Sequence, residues 1–220
     1  MKLIIGLGNS GDKYKNNRHN VGFVVVDRLV EGLRVKSYGL SQDWEKSKKG
    51  KLQYIWFNVK GKKLELIKLL TFMNNSGYSV SYAYKKHSLL PDDLYIIHDD
   101  LDIKLGDYKI QKGKGPKVHK GLLSIENELG TKGFWRVRIG IENRYQKSNV
   151  KSQMSKVPTG EKYVLQDFTE KELEILGKTI NNVVEELLTS LSLNIWQKER
   201  LITTQGIEQS LQTKELFLLI

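Results

Sequence analysis

Two nearly uninterrupted apolar runs constrain this chain most: LIIGL at residues 3–7 and LYII at 94–97, the second ending in HDDLD at 98–102. Consecutive apolar positions, unlike alternating ones, suit strands covered on both faces. Segments of helical period lie between and after them. Residues 21–33 read as a helix, with Val21, Val24, Val25, Leu29 and Leu33 on one face and Asp27, Arg28 and Glu31 off it. LQYIWFNV (52–59) and KLELIKLL (63–70) read as a hairpin turned at 60–62, after a polar connector from Lys36 to Lys51. Further strands are read at 93–100, 108–112 and 135–142, and helices after TFMNNSG (71–77) and over 118–130, stopped at Gly130. Thr169 and Glu172 form a capping box ahead of a long helix bearing Leu173, Leu176, Ile180, Val183 and Leu187. The expectation is a single α/β domain: a twisted mixed β-sheet sandwiched by helices, with a site at the strand ends.

A chain of 220 residues can bury such a core unaided. It has no cysteine, so disulfides, thiolate-bound zinc and a thiol nucleophile are excluded. Neither LIIGL nor the closing ELFLLI is long enough for a leader's apolar region or a membrane span. The reading is a soluble, cytoplasmic protein with no membrane partner. Its net charge of +11 is uneven: residues 1–160 hold 30 basic against 15 acidic residues, and 161–220 hold 6 against 10. A basic body of this kind favours a polyanion, nucleic acid before a membrane surface, although a lysine-rich solvated surface gives the same count.

Gly6, Gly8 and Gly11 spell G-x-G-x-x-G, but the following DKYKNNRHN has no apolar periodicity, so no core-packed helix opens there to meet a pyrophosphate. The glycines instead let a strand end turn and present Asn9. His19 stands in the polar segment that follows, where a titrating imidazole suits hydrolysis near neutral pH. HDDLD could hold Mg²⁺ on Asp99, Asp100 and Asp102, or supply one aspartate to orient an imidazole. Asn74 and Asn75 are uncharged amides able to polarise a carbonyl. At this level the residues point to a hydrolase without naming a substrate.

GLGNSG, Tyr14, Arg18-His19-Asn20, TFMNNSG, HDDLD and RVRIGIE occur in the order and approximate spacing of bacterial peptidyl-tRNA hydrolase, and the chain resembles that family from residue 2 to about 200. YVLQDFTEKEL (163–173) resembles the family's lid and C-terminal helix. The expected layout is a hydrolase-like domain over 1–200 and a C-terminal extension over 201–220. The resemblance implies cleavage of the ester between a peptide and the 3′ end of tRNA, by a monomer, with no cofactor and no metal. His19 would be the general base, Asp99 its orienter, Asn9 the reader of a blocked amino terminus and Asn74 the group on the carbonyl or water. Tyr14, Asn20, Phe72, Met73, His119 and Lys120 would contact substrate, and Lys112 and Arg138 tRNA phosphate.

The sequence also departs from the family pattern. Lys120 stands where an asparagine is usual beside His119, Gln111 where a phosphate-contacting lysine is usual, and Ser10 where proline is usual. Six lysines fall between Lys104 and Lys120, so this loop could grip phosphate by charge. The competing reading is a weak or inactive relative that only binds RNA, as in chloroplast intron-splicing homologues. A metal-dependent phosphohydrolase built on HDDLD is a third.

Overall fold

A computed structural model describes residues 1–36, 43–59, 61–144 and 157–190. Seven strands form one sheet: β1 (Lys2–Gly6), β2 (Glu45–Ser47), β3 (Leu52–Val59), β4 (Lys62–Leu69), β5 (Leu94–Lys104), β6 (Tyr108–Lys112) and β7 (Trp135–Glu142), in the order β2-β3-β4-β1-β5-β7-β6. β4, β1, β5 and β7 run parallel, while β3 and β6 are antiparallel to their neighbours. The helices are α1 (Val21–Lys36), α2 (Ser76–Lys86), α3 (Lys120–Leu129), α4 (Gly160–Val164) and α5 (Glu170–Ser190).

The apolar runs explain this layering. In the central strands, alternate residues feed two different cores. Ile4, Tyr95, Ile97 and Val137 pack with α1 and α5, whereas Leu3, Ile5, Leu94 and Ile96 pack with residues of α2 and α3. β5 is buried at every position from Leu94 to Asp100, as expected of a strand between two parallel neighbours under helices on both faces.

The structure shifts two assignments and adds two elements. Val24 is 41 % exposed, and the buried stripe of α1 runs through Val21, Val25, Val26, Leu29, Val30 and Leu33. Leu173 of α5 is likewise exposed, leaving Leu176, Ile180, Val183 and Leu187 to the core. β2 lies inside the expected connector, and α4 is an element beyond those read from the sequence. The hairpin forms, though Lys60 of its turn is outside the described residues, as are 201–220. One half of the capping box forms: Glu172 Oε2 accepts from Thr169 N–H at 2.8 Å, while the Thr169 hydroxyl donates to the same oxygen at 3.0 Å instead of capping the helix.

Candidate active site

The site lies beyond the carboxyl ends of the parallel strands β1, β4 and β5. In the glycine pattern Gly6 serves close approach rather than phosphate binding, since a Cβ there would collide with the Gly22 carbonyl. A Cβ on Gly22 would lie 2.5 Å from the carbonyl oxygens of both Leu7 and Ile97. Gly22 therefore lets the start of α1 sit directly on the end of β1 and on the body of β5. His19, in the 3₁₀ turn three residues earlier, is thereby delivered to Asp99, midway along β5. Gly11 has φ +112 and leads into a short 3₁₀ turn over Asp12–Tyr14, so no helix opens there.

His19 Nδ1 lies 2.7 Å from Asp99 Oδ1, and His119 Nε2 lies 3.1 Å from the same oxygen. Asp99 is 2 % exposed. Burial alone would push its carboxyl up, but the two imidazoles hold it well below the usual carboxylate range. As an ionised carboxylate only accepts, both facing ring nitrogens are assigned as N–H donors. His119 caps α3, its Nδ1 accepting from Leu122 N–H at 3.2 Å. Its bonding thus describes a neutral ring. His19 is different, because Nδ1–H is fixed on Asp99 and Nε2 is left as a base. Burial lowers the His19 pKa, yet the charge and hydrogen bond of Asp99 outweigh burial and the opposing charge of Lys120, leaving it raised.

His19 and Asp99 line a cavity of about 560 Å³ with Asn9, Met73, Asn74, His119, Lys120 and Glu161, among others. Asn9 is held rigidly: its backbone exchanges two hydrogen bonds with the Asn20 side chain, at 2.8 and 3.0 Å. Its Oδ1 accepts from Met73 N–H at 2.9 Å, leaving Nδ2 to donate into the cavity. Asn20 is buried, and its side-chain amide is engaged by the Asn9 backbone. Asn74 is exposed, and its amide makes no hydrogen bond among the described residues. Tyr14 and Phe72 meet edge to face with ring centroids 6.2 Å apart, Phe72 being 55 % exposed. Lys120 also stands on the cavity rim, its ammonium 2.7 Å from the Glu161 carboxylate.

Two expected phosphate ligands lie elsewhere. Lys112 pairs in register with Trp135 at the first position of β7, and its ammonium meets Asp92 just before β5. Because β6 runs antiparallel, it carries Lys112 to the opposite end of the sheet from His19. Arg138 is 8 % exposed and is occupied by Asp100 Oδ2 at 2.7 Å and Gln111 Oε1 at 2.9 Å. Gly115 lies so close over its guanidinium that a side chain there would collide with it. Arg138 is a buried structural cation here, not an exposed phosphate grip.

The aspartates of HDDLD do not converge on one ion. Asp99 faces two imidazoles, Asp100 faces Arg138, and Asp102 Oδ2 accepts from Lys117 N–H at 2.8 Å. That removes the arrangement a Mg²⁺ phosphohydrolase would need. His19, Asp99 and His119 do bring three ligand atoms within 4.8 Å of one another, a nitrogen-rich set suited to a borderline-soft cation rather than Mg²⁺. Their 2.7 and 3.1 Å separations are those of hydrogen bonds.

Sequence reasoning missed the frame behind the site. Arg18, 4 % exposed, donates to Glu172 at 2.7 Å and to the Asp167 carbonyl at 2.7 Å, and stacks 4.1 Å from the Tyr163 ring. This ties the His19 turn to α4 and α5. The capping box signalled Glu172, but not that its carboxylate would also receive a buried arginine. His98, fully buried beside His119 at 4.9 Å between ring centroids, is pushed down to about 3 by burial and stays neutral. Among the described residues, no helix is long and apolar enough to cross a membrane.

Residues 3–210 match the family model for peptidyl-tRNA hydrolase. The peptidyl-tRNA hydrolase of Geotalea uraniireducens is 39% identical over 194 residues, covering 85% of this chain and 88% of that protein. That of Maridesulfovibrio salexigens is 36% identical over 191 residues, covering 84% of each. The crystal structure of peptidyl-tRNA hydrolase from Acinetobacter baumannii superposes with a TM-score of 0.69 at 28% identity, covering 90% of this chain and 93% of that one. Sequence and fold agree over nearly the whole length, and the chain belongs to the peptidyl-tRNA hydrolase family.

Proposed function

We propose that this protein hydrolyses the ester joining a peptide to the 3′ end of tRNA, with His19 as general base. The observation that carries this is the 2.7 Å His19–Asp99 contact in the wall of a cavity also lined by Asn9 and Asn74. His19 Nε2 takes a proton from water as the water oxygen bonds to the ester carbonyl carbon. Asp99 stabilises the resulting imidazolium, and the Asn74 amide donates to the developing oxyanion. Collapse breaks the bond to the ribose oxygen, which leaves with the proton returned by His19. No covalent nucleophile is required, because an ester is a better electrophile than an amide.

Asn9 Nδ2 is placed to donate to the acyl oxygen of a blocked amino terminus. Met73 lines the cavity directly, whereas Tyr14 and Phe72 pack against each other and are not among its lining residues. A neighbouring hollow lined by the exposed Lys132 and by Lys117 offers positive charge for the acceptor end of tRNA. The protein acts as a monomer in this reading. Lys120 leaves the His19–Asp99 pair intact, so the departure from asparagine does not dismantle the base.

The test is release of N-acetyl-amino acid from N-acetyl-aminoacyl-tRNA, with unblocked aminoacyl-tRNA and His19→Ala as controls. Turnover that requires both the acyl block and His19 supports the assignment. Tight tRNA binding without turnover would refute it.

A further inference from the structure

Lys120 occupies an unfavourable place for a cation. It is the first residue of α3, where the helix dipole disfavours positive charge. Its acidic partner among the described residues is Glu161, in the separate element α4, and both side chains are largely exposed, at 64 and 78 %. Ion pairs so exposed contribute little to stability and exchange readily. Yet both residues line the catalytic cavity, so their contact bridges its mouth.

Lys120 faces two ways. It also lines the neighbouring hollow of about 400 Å³, beside Lys117, Lys132 and Arg136. The acid lining that hollow, Glu126, is already engaged by Arg136 at 2.9 Å and Lys132 at 3.3 Å. An anion entering there would find the Lys120 ammonium between itself and the reacting ester. Lys120 also bears on His19, its charge opposing protonation of the base. A counter-charge on Lys120 therefore helps whenever His19 takes a proton. Glu161 supplies it in the empty site, and a substrate anion could supply it in the complex.

We propose that Lys120 and Glu161 form an exchangeable clasp, in which Lys120 leaves Glu161 for a phosphodiester of the RNA moiety next to the scissile ester. This rests on the function proposed above and assigns Lys120 as a specificity-determining residue. It selects an ester still attached to polynucleotide over the same ester on a bare nucleoside. Glu161 competes with the phosphate for one ammonium.

The experiment compares Glu161→Gln with wild type on N-acetyl-aminoacyl-tRNA and on N-acetyl-aminoacyl-adenosine, which carries no phosphate, and repeats the comparison in a Lys120→Asn background. Removing the competitor is expected to lower KM for the tRNA ester about threefold, the equivalent of one exposed ion pair. It is expected to steepen the dependence of log KM on log salt by about 0.7, the contribution of one cation on single-stranded RNA. Neither change is expected on the adenosine ester or without Lys120. An unchanged or higher KM, or the same change on adenosine or in the Lys120→Asn background, would overturn the clasp. Wild-type protein that leaves N-acetyl-aminoacyl-tRNA intact would instead overturn the hydrolase assignment.

Discussion

Replacing Asp99 by asparagine separates the charge of the orienting group from its geometry. Both imidazoles donate to the same oxygen, Oδ1, at 2.7 and 3.1 Å. An asparagine can keep a carbonyl oxygen at that point, so both hydrogen bonds and the His19 tautomer survive. What is lost is the negative charge beneath the imidazolium that forms as water is deprotonated. A hydrogen bond to a charged group is worth about 1.5–3 kcal/mol and a neutral one about 0.5–1.5. The difference, about 1–2 kcal/mol, predicts a fall in kcat of about 5- to 30-fold for Asp99→Asn. Asp99→Ala removes the acceptor from both rings and frees the tautomer, so a loss of about 10²–10⁴ is expected. The pH profile gives a second reading. In wild type, burial lowers the His19 pKa but Asp99 raises it further, so kcat/KM should climb with pH through a value above 6.5. Without the carboxylate charge, burial and Lys120 remain and both lower it. The acid limb of Asp99→Asn should therefore move to lower pH, and its deficit should narrow in acid. Steady-state hydrolysis of N-acetyl-aminoacyl-tRNA across pH for the three proteins measures both effects. An Asp99→Asn enzyme as damaged as Asp99→Ala, or one whose acid limb stays in place, would refute the charge assignment.

Three further outcomes follow from packing and placement. Gly22→Ala puts a methyl 2.5 Å from two backbone carbonyl oxygens, and should cost about 3 kcal/mol or more in urea unfolding; wild-type stability would show that α1 can lift off the strand ends. Glu172→Gln strands the buried Arg18 and should cost about 3–5 kcal/mol. Burial raises the Glu172 pKa, but bonds from Thr169, Asn143 and Arg18 win and hold it near 2, below its ordinary 4.5. Its contribution is then complete above 4.5 and fades as pH falls toward 2, so acid unfolding of Glu172→Gln should lack that component. Lys112→Glu, at the far end of the sheet, should leave KM for N-acetyl-aminoacyl-tRNA within twofold; a large rise would return Lys112 to the binding surface.

What the sequence made legible is what local pattern encodes. The bounds of β6 and β7 coincide with YKIQK and WRVRIGIE. His19 and Asp99 could be singled out because a histidine in a polar turn and an aspartate at the end of an apolar strand are local facts. Val24 opens a run of three valines, within which composition cannot choose the buried stripe, and it is the exposed one. β2 is a three-residue polar strand that exists through its pairing with β3, and α4 is a five-residue helix. Neither leaves a periodic trace. The larger misreadings concern direction. Lys112 belongs to the expected strand, but only its antiparallel course reveals which end of the sheet receives it. Arg138 lies in the expected motif, yet it belongs to the alternate set of β7 that faces away from Val137 and Ile139. Its guanidinium there closes a buried polar layer with Asp100 and Gln111. Gln111 fits as an acceptor for Arg138, a bond that a lysine at that position could not make. These groups satisfy one another inside the fold, and among the described residues the lysine that lines the cavity is Lys120, the first residue of α3, with Lys117 in the adjoining hollow. Of the departures from the family pattern, Gln111 is spent inside the fold on Arg138, and Lys120 is the one placed to feel the charge of the substrate.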